Sequence, residues 1–263
     1  MLDAIYNATL VLPDFVILAL AAVVFGAIGG LISLFSYKLW FQHWSRHSGF
    51  EDTLAETAHD SFIAIIAFVL ALSIASEFDN YSQAKDLVRR EALEIARIER
   101  QLVALGPAGE NGLSALRAYA QSVVADEWDS LARRPSSLSP VTQERFNELW
   151  SAIRAIQHGL GEPFENARFD LSDYIMKLEE VRNDRLGAAR DRIPVVFWVT
   201  MLLFVTGESV LSGRRHVRRF GIQINIMHMS AIGLLMALIL IFDNPFRGDT
   251  SVSLDAILDA LKK

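Results

Sequence analysis

The chain has 263 residues, no cysteine, a formal net charge of -6 and a mean hydropathy of +0.27. Hydrophobic residues make up 52% and charged residues 21%, and the apolar ones fall in long blocks, which excludes an ordinary soluble globule. The lack of cysteine excludes disulfides, thiolate catalysis and cysteine-ligated metals, and the acidic balance leaves no broad basic face for nucleic acid.

The opening stretch MLDAIYNATLVLPDF contains Asp3 and no Lys or Arg, whereas a cleavable signal normally begins with positive charge. The first hydrophobic segment is therefore expected to be a retained helix. It runs from Phe15 to Tyr37 without a charged residue, and about 20 such residues span a hydrocarbon core. Gly26, Gly29, Gly30 and Ser33 form a small-residue patch at four-residue spacing, which predicts close approach of a second helix.

The link WFQHWSRH carries His43 and His47, four apart and so on one face of a helix. With Glu51, Glu56 or His59 they would make a weak metal site. An interfacial helix anchored by Trp40, Phe41 and Trp44 is the favoured reading. An enzymatic function would have to draw on His43, His47, His59 and Asp60, and no hydrolase or cofactor signature accompanies them. No cofactor is expected.

Segment two, Ser61 to Ala75, reaches spanning length if its helix begins near Thr57 and runs to Phe78. Ser61, Ser73, Ser76 and Glu77 give it polar ends, and Phe62, Ile65, Ile66 and Val69 could form a hydrophobic constriction if several copies surrounded an axis. Four spans in one copy make too thin a wall for a continuous aqueous path, so conduction would require a homo-oligomer.

Residues 77–192 hold twenty acids and sixteen basic residues, interleaved as in a solvated domain. The first helix there is expected from Phe78 to Leu105, continuous with segment two. Its packing row is Ala84, Val88, Glu91, Ile95, Ile98, Leu102 and Leu105. Glu91 lies on that apolar row and calls for an arginine from a neighbouring helix; gating or ion binding is the other reading. The glycines from Gly106 to Gly112 are expected to turn the chain. Helices then follow at Leu113–Ala132, from Pro140 onward, and from near Pro163 to Arg192, giving an antiparallel bundle.

Segment three covers Ile193 to Leu211, and segment four covers Ile222 to Phe242. Glu208, Asn225 and His228 are polar groups within these spans, costly against lipid and therefore expected to face other helices, headgroups or a water path. Glu208 is expected to pair with an arginine of the following loop. That loop, SGRRHVRRFG, contains Arg214, Arg215, Arg218 and Arg219, and the first link adds Lys38 and Arg46. The positive-inside bias puts both short loops in the cytoplasm, with both termini and the inserted domain outside. Lys85, Arg89, Arg90, Arg182, Arg185, Arg190 and Arg192 flank the domain and pull the other way.

The fold expected is an all-α integral membrane protein. It divides into two helices at 1–76, an extramembrane helical domain at 77–192, two more helices at 193–242 and a tail at 243–263.

Three stretches carry a family resemblance. FDNYSQAKDLVRREALEIARI follows segment two, LRAYAQSVVADEWDSLARR carries Tyr119, Glu127 and Trp128, and LILIFDNPFRGDTSVS carries Asp243, Pro245, Phe246, Gly248, Val252 and Ser253. Together they resemble the bestrophin-like membrane proteins of bacteria. The resemblance implies a distant relation to bestrophins, which are pentameric anion channels with a pore lined by their second helix and the helical domain in the cytoplasm. For the exit motif Asp243, Pro245, Phe246 and Gly248, a structural role is favoured over permeation.

Two functions from different classes follow. One is a homo-oligomeric ion channel in a bacterial inner membrane, lined by segment two and conducting anions. The other is a non-conducting scaffold or envelope sensor that binds through its helical domain. Membrane lipid, further copies of the chain and ions are the expected partners, and nucleic acid is not.

Overall fold

The computed structural model describes residues 6, 7, 9–41, 50–159, 165–213 and 220–261, with side chains left aside at 40, 41, 50–55, 165–168 and 261. The regular elements among the described residues are helices: α1 (Asp14–Ser36), α2 (Phe50–Ala104), α3 (Glu110–Ser122), α4 (Trp128–Ala132), α5 (Pro140–Gly159), α6 (Glu165–Arg190), α7 (Val195–Leu211), α8 (Gly221–Phe242) and α9 (Asp255–Leu261). Among the described residues four helical stretches are long and apolar enough to cross a membrane, and the protein is an all-α membrane protein with a helical region between its second and third spans.

The 55-residue α2 joins segment two to the first inserted helix without a break, as the unbroken packing row required. Its residues contribute to two compact units. One comprises Leu12–Phe78 and Arg192–Asp243; the other comprises Met1–Val11, Asp79–Asp191 and Asn244–Lys263. Both chain ends therefore belong to the helical unit. Phe246, Val252 and Ile257 lie in its core with Ile95, Tyr119 and Leu149.

In the spanning unit, α1 and α8 run antiparallel and touch through small residues. A Cβ on Gly26 would come within 2.4 Å of Ser230 Oγ, and one on Gly29 within 2.2 Å of Met229 Cγ. One on Gly233 would come within 2.7 Å of the Ala21 carbonyl oxygen. The expected close approach is therefore present, with α8 as the partner. Helices α2 and α7 are also antiparallel, since Phe62 packs on Phe204 and His59 faces Glu208.

In the helical unit, α6 runs back along α2: Gln101 bonds Asp170, Arg97 lies over the Tyr174 ring and Glu91 pairs with Arg185. Gly106 has φ +59 and makes the turn, followed by a 3-10 turn over Gly106–Gly109. The next helix starts at Glu110, earlier than the expected Leu113. Gly112 is helical, and its bare Cα admits Leu102 and Ile156, whose methyls would lie within 2.9 Å of a Cβ. A widened π turn at Val123–Glu127 joins α3 to α4. It absorbs the drift of a strict four-residue repeat, so that Tyr119, Val123, Glu127 and Leu131 all stay fully buried.

Candidate functional site

Three groups of residues bear on function: the segment-two face of α2, the polar groups between the spans, and the charged interior of the helical unit with the exit turn beside it.

On α2 the eight pore candidates separate by direction. Ser61, Ile65 and Ser76 are exposed, and Phe68 and Leu72 complete their row with 64% and 56% exposure. The spacing of that row, four, three, four and four, is one helix face. Ile66, by contrast, is 1% exposed and packs with Leu70, Met201, Val205 and Met229. Phe62 lies edge-on to Phe204 at 5.6 Å, Val69 packs on the same core, and Glu77 is buried. The expected constriction of Phe62, Ile65, Ile66 and Val69 is thus divided between two faces, and only Ile65 lies on the exposed one. Half-buried Ser73 and exposed Ser61 donate their hydroxyls to Val69 O and Thr57 O at 2.8 Å, one turn back.

Glu208 sits fully buried on α7, and its Oε1 is 3.4 Å from Nδ1 of His59 on α2. The expected arginine partners at 214–219 lie outside the described residues; the described neighbour is a histidine from the pore-candidate helix. The sequence offers His59 only as a metal or catalytic candidate, because the apolar spacing of segment two begins at Ser61 and nothing ties His59 to Glu208. One helical turn further back would have placed it on the inward line of Ile66 and Glu77.

Asn225 is 2% exposed and donates to Gly29 O at 3.3 Å, which adds a polar tie at the glycine contact. Nearby, Ser209 Oγ lies 3.2 Å from Met229 Sδ, and Ser33 Oγ 3.0 Å from Ser212 Oγ. His228 is half-buried. It shares a helix side with Asn225 but not its depth. His43 and His47 lie outside the described residues; among the described ones no group of three or more metal-ligating side chains comes together.

The helical unit encloses two acids and two arginines joined in one network by three ion pairs. Arg185 Nη1 lies 2.7 Å from Glu91 Oε2, and Arg185 also bonds Glu127 closely. Arg182 reaches Glu127 at 2.8 and 3.2 Å and donates to Gln143 Oε1 at 2.7 Å. The Tyr119 hydroxyl donates to Glu91 Oε1 at 2.8 Å. Aromatic faces close the network, with Trp128 under Arg185 and Phe146 under Arg182.

Burial pushes the Glu91 carboxyl above its ordinary value, against the pull of Arg185 and Tyr119. Burial and the Glu91 charge push the Tyr119 phenol well up. Burial works against the Arg185 charge too, but Glu91 and Glu127 outweigh it and raise its pKa. Glu91 was expected to meet an arginine. Glu127 enters the sequence reading only through a resembling stretch, although it lies four residues from both Val123 and Leu131 on the buried row.

The exit motif forms a knot of backbone contacts. Asp243 Oδ1 accepts the Ile193 N–H at 2.7 Å, just before α7 begins. Asn244 Nδ2 donates to Leu131 O and Ala132 O at 3.0 and 3.2 Å, while its Oδ1 accepts the Phe246 N–H. Phe246 stands edge-on to Trp128 at 5.1 Å, Pro245 O accepts the Val252 N–H at 2.8 Å, and Gly248 takes φ +68. Helix α8 stops at Phe242, before Pro245, as a proline following the helix requires.

The bestrophin-like domain model matches residues 24–257. A bacterial bestrophin homolog from Klebsiella pneumoniae, solved by zinc phasing, is 14% identical. The match covers 92% of this chain and 94% of that one at a TM-score of 0.69. A tryptophan variant of the K. pneumoniae homolog gives 14% identity, 94% and 98% coverage and a TM-score of 0.66. A further crystal structure, described as a membrane protein, is 15% identical over 95% and 96% with a TM-score of 0.64. At such identities these likenesses establish the fold. No curated protein matches the chain.

Proposed function

We propose, from the premise that the chain belongs to the bestrophin-like family, that it is a homo-oligomeric ion channel of a bacterial inner membrane. In this reading α2 lines the pathway and anions are the conducted species. The observation that carries the reading is the two-faced α2. Its inner line packs within its own unit, while Ser61, Ile65, Phe68, Leu72 and Ser76 present an apolar row with hydroxyl ends to whatever lies outside one copy.

Copies arranged around an axis would bring several such rows together. A ring of apolar side chains lets a pore gate by losing water, with the hydroxyls at its ends to receive a hydrated ion. The likeness in fold to the K. pneumoniae bestrophin homolog supports the same class of function. Purified protein in planar bilayers is expected to carry current whose reversal potential follows the chloride gradient. A sealed bilayer at every pH, calcium level and voltage tried would support the non-conducting scaffold.

The proposed orientation places both termini and the helical domain outside the cytoplasm, with the Arg214–Arg219 loop inside. Two of the opposing cations weigh less than their number suggests, because Arg182 and Arg185 are buried against Glu127 and Glu91. A cysteine-free chain makes the test direct. Glu110→Cys, at an exposed position, is expected to react with a membrane-impermeant maleimide on intact spheroplasts. Labelling only after permeabilisation would reverse the topology.

A further inference from the structure

Arg247, in the turn after the last span, is 1% exposed. The turn aims it inward by its own backbone bonds: Asn244 O accepts the Arg247 N–H at 3.2 Å, and Gly248 bends the chain away just after it. Its Nη2 donates to Thr9 O at 2.9 Å, and its guanidinium lies 5.2 Å from the Tyr6 ring centroid. Both Nε and Nη1 are buried without a hydrogen-bond acceptor, and no carboxylate pairs with Arg247 among the described residues.

A second cation converges on the same ring. The Arg134 guanidinium lies 4.8 Å from the Tyr6 centroid, and Arg134 is 7% exposed. Its backbone is tied to Asn7 in both directions, by a 2.8 Å bond from Asn7 Nδ2 to Arg134 O and a 2.9 Å bond from Arg134 N to Asn7 Oδ1. The neighbouring network of Glu91, Glu127, Arg182 and Arg185 balances two acids with two bases. Among the described residues, Arg247 itself has one carbonyl and one ring face in place of a carboxylate, and two of its donors are unused.

We infer that the Arg247 guanidinium, with Arg134 and the Tyr6 ring beside it, binds a small monovalent anion of the halide class in the helical unit. A buried guanidinium with unused N–H groups is a donor set for such an ion. An aromatic wall favours a weakly hydrated, singly charged species over a strongly hydrated multivalent one. This site would be occupied whether or not the chain conducts.

The test uses the full chain in lipid nanodiscs, with sodium bromide exchanged for sodium gluconate at constant ionic strength. The thermal midpoint of the wild type is expected to rise saturably with bromide. In Arg247→Gln the bromide concentration needed for half the effect should increase at least tenfold. The exposed-site control Arg117→Gln should respond as the wild type does. No bromide-dependent shift in the wild type, or an undiminished one in Arg247→Gln, would overturn the assignment. If Arg247→Gln does not fold, wild-type crystals grown in bromide decide: an anomalous peak against Arg247 supports the site and its absence overturns it.

Discussion

Arg185→Ala is expected to cost about 3–5 kcal/mol of stability, because it strips the partner from one buried carboxylate and halves the positive charge around another. Glu91 would keep only the Tyr119 hydroxyl, and Glu127 only Arg182. The apparent melting point in detergent should fall by roughly 10 °C or more. Arg185→Met combined with Glu91→Gln should recover over half of the loss, since it removes one cation and one anion together and leaves Arg182 with Glu127. The single substitution measured within about 1 kcal/mol of wild type would place these groups in the energetic class of solvated surface pairs and contradict the buried network.

The second large effect is expected at the α1–α8 contact. Gly233→Val puts its Cβ where an added carbon would stand 2.7 Å from the Ala21 carbonyl oxygen and 2.7 Å from Phe25 Cβ. A backbone atom cannot swing aside as a side-chain tip does, so the helices must separate. Overpacking of this kind costs about 1–3 kcal/mol, with valine toward the upper end. Gly187→Ala on α6 is the matched control. No atom lies within 4 Å of its added Cβ, and the helix should gain about 0.5–1 kcal/mol. Melting curves of the two variants should therefore move in opposite directions. Equal, small shifts would mean that the glycine contact does not hold α1 against α8.

The architecture was legible because lipid imposes length and uniform apolarity on a span, and because a solvated helix shows its buried face at three- and four-residue spacing. Both signals cross residues 57–105, which is why the unbroken α2 could be anticipated. Glu91 was legible for the same reason, as an acid on an apolar row.

What sequence reading missed has equally specific causes. Gly112 reads as a turn residue because glycine serves turns and close helix contacts alike. Phe62, Ile65, Ile66 and Val69 read as one constriction because apolar side chains all round a span leave no polar face to mark direction. Only the packing of α7 and α8 separates Ile66 from Ile65. His59 stands among polar residues just before the apolar run, and nothing local says that it faces Glu208, 149 positions later. The burial of Arg247 was likewise hidden, since an arginine in a Pro-Phe-Arg-Gly turn reads as a surface residue.

The ion path is expected to run along the outward row of α2. In the cysteine-free background, single cysteines at positions 61, 65, 66, 68, 70, 72 and 76 can be treated with a charged methanethiosulfonate while bilayer current is recorded. Modification at 61, 65, 68, 72 and 76 is expected to change the current, while 66 and 70 stay silent within their own bundle. Conduction with no response along that row, or with the response confined to 66 and 70, would contradict it.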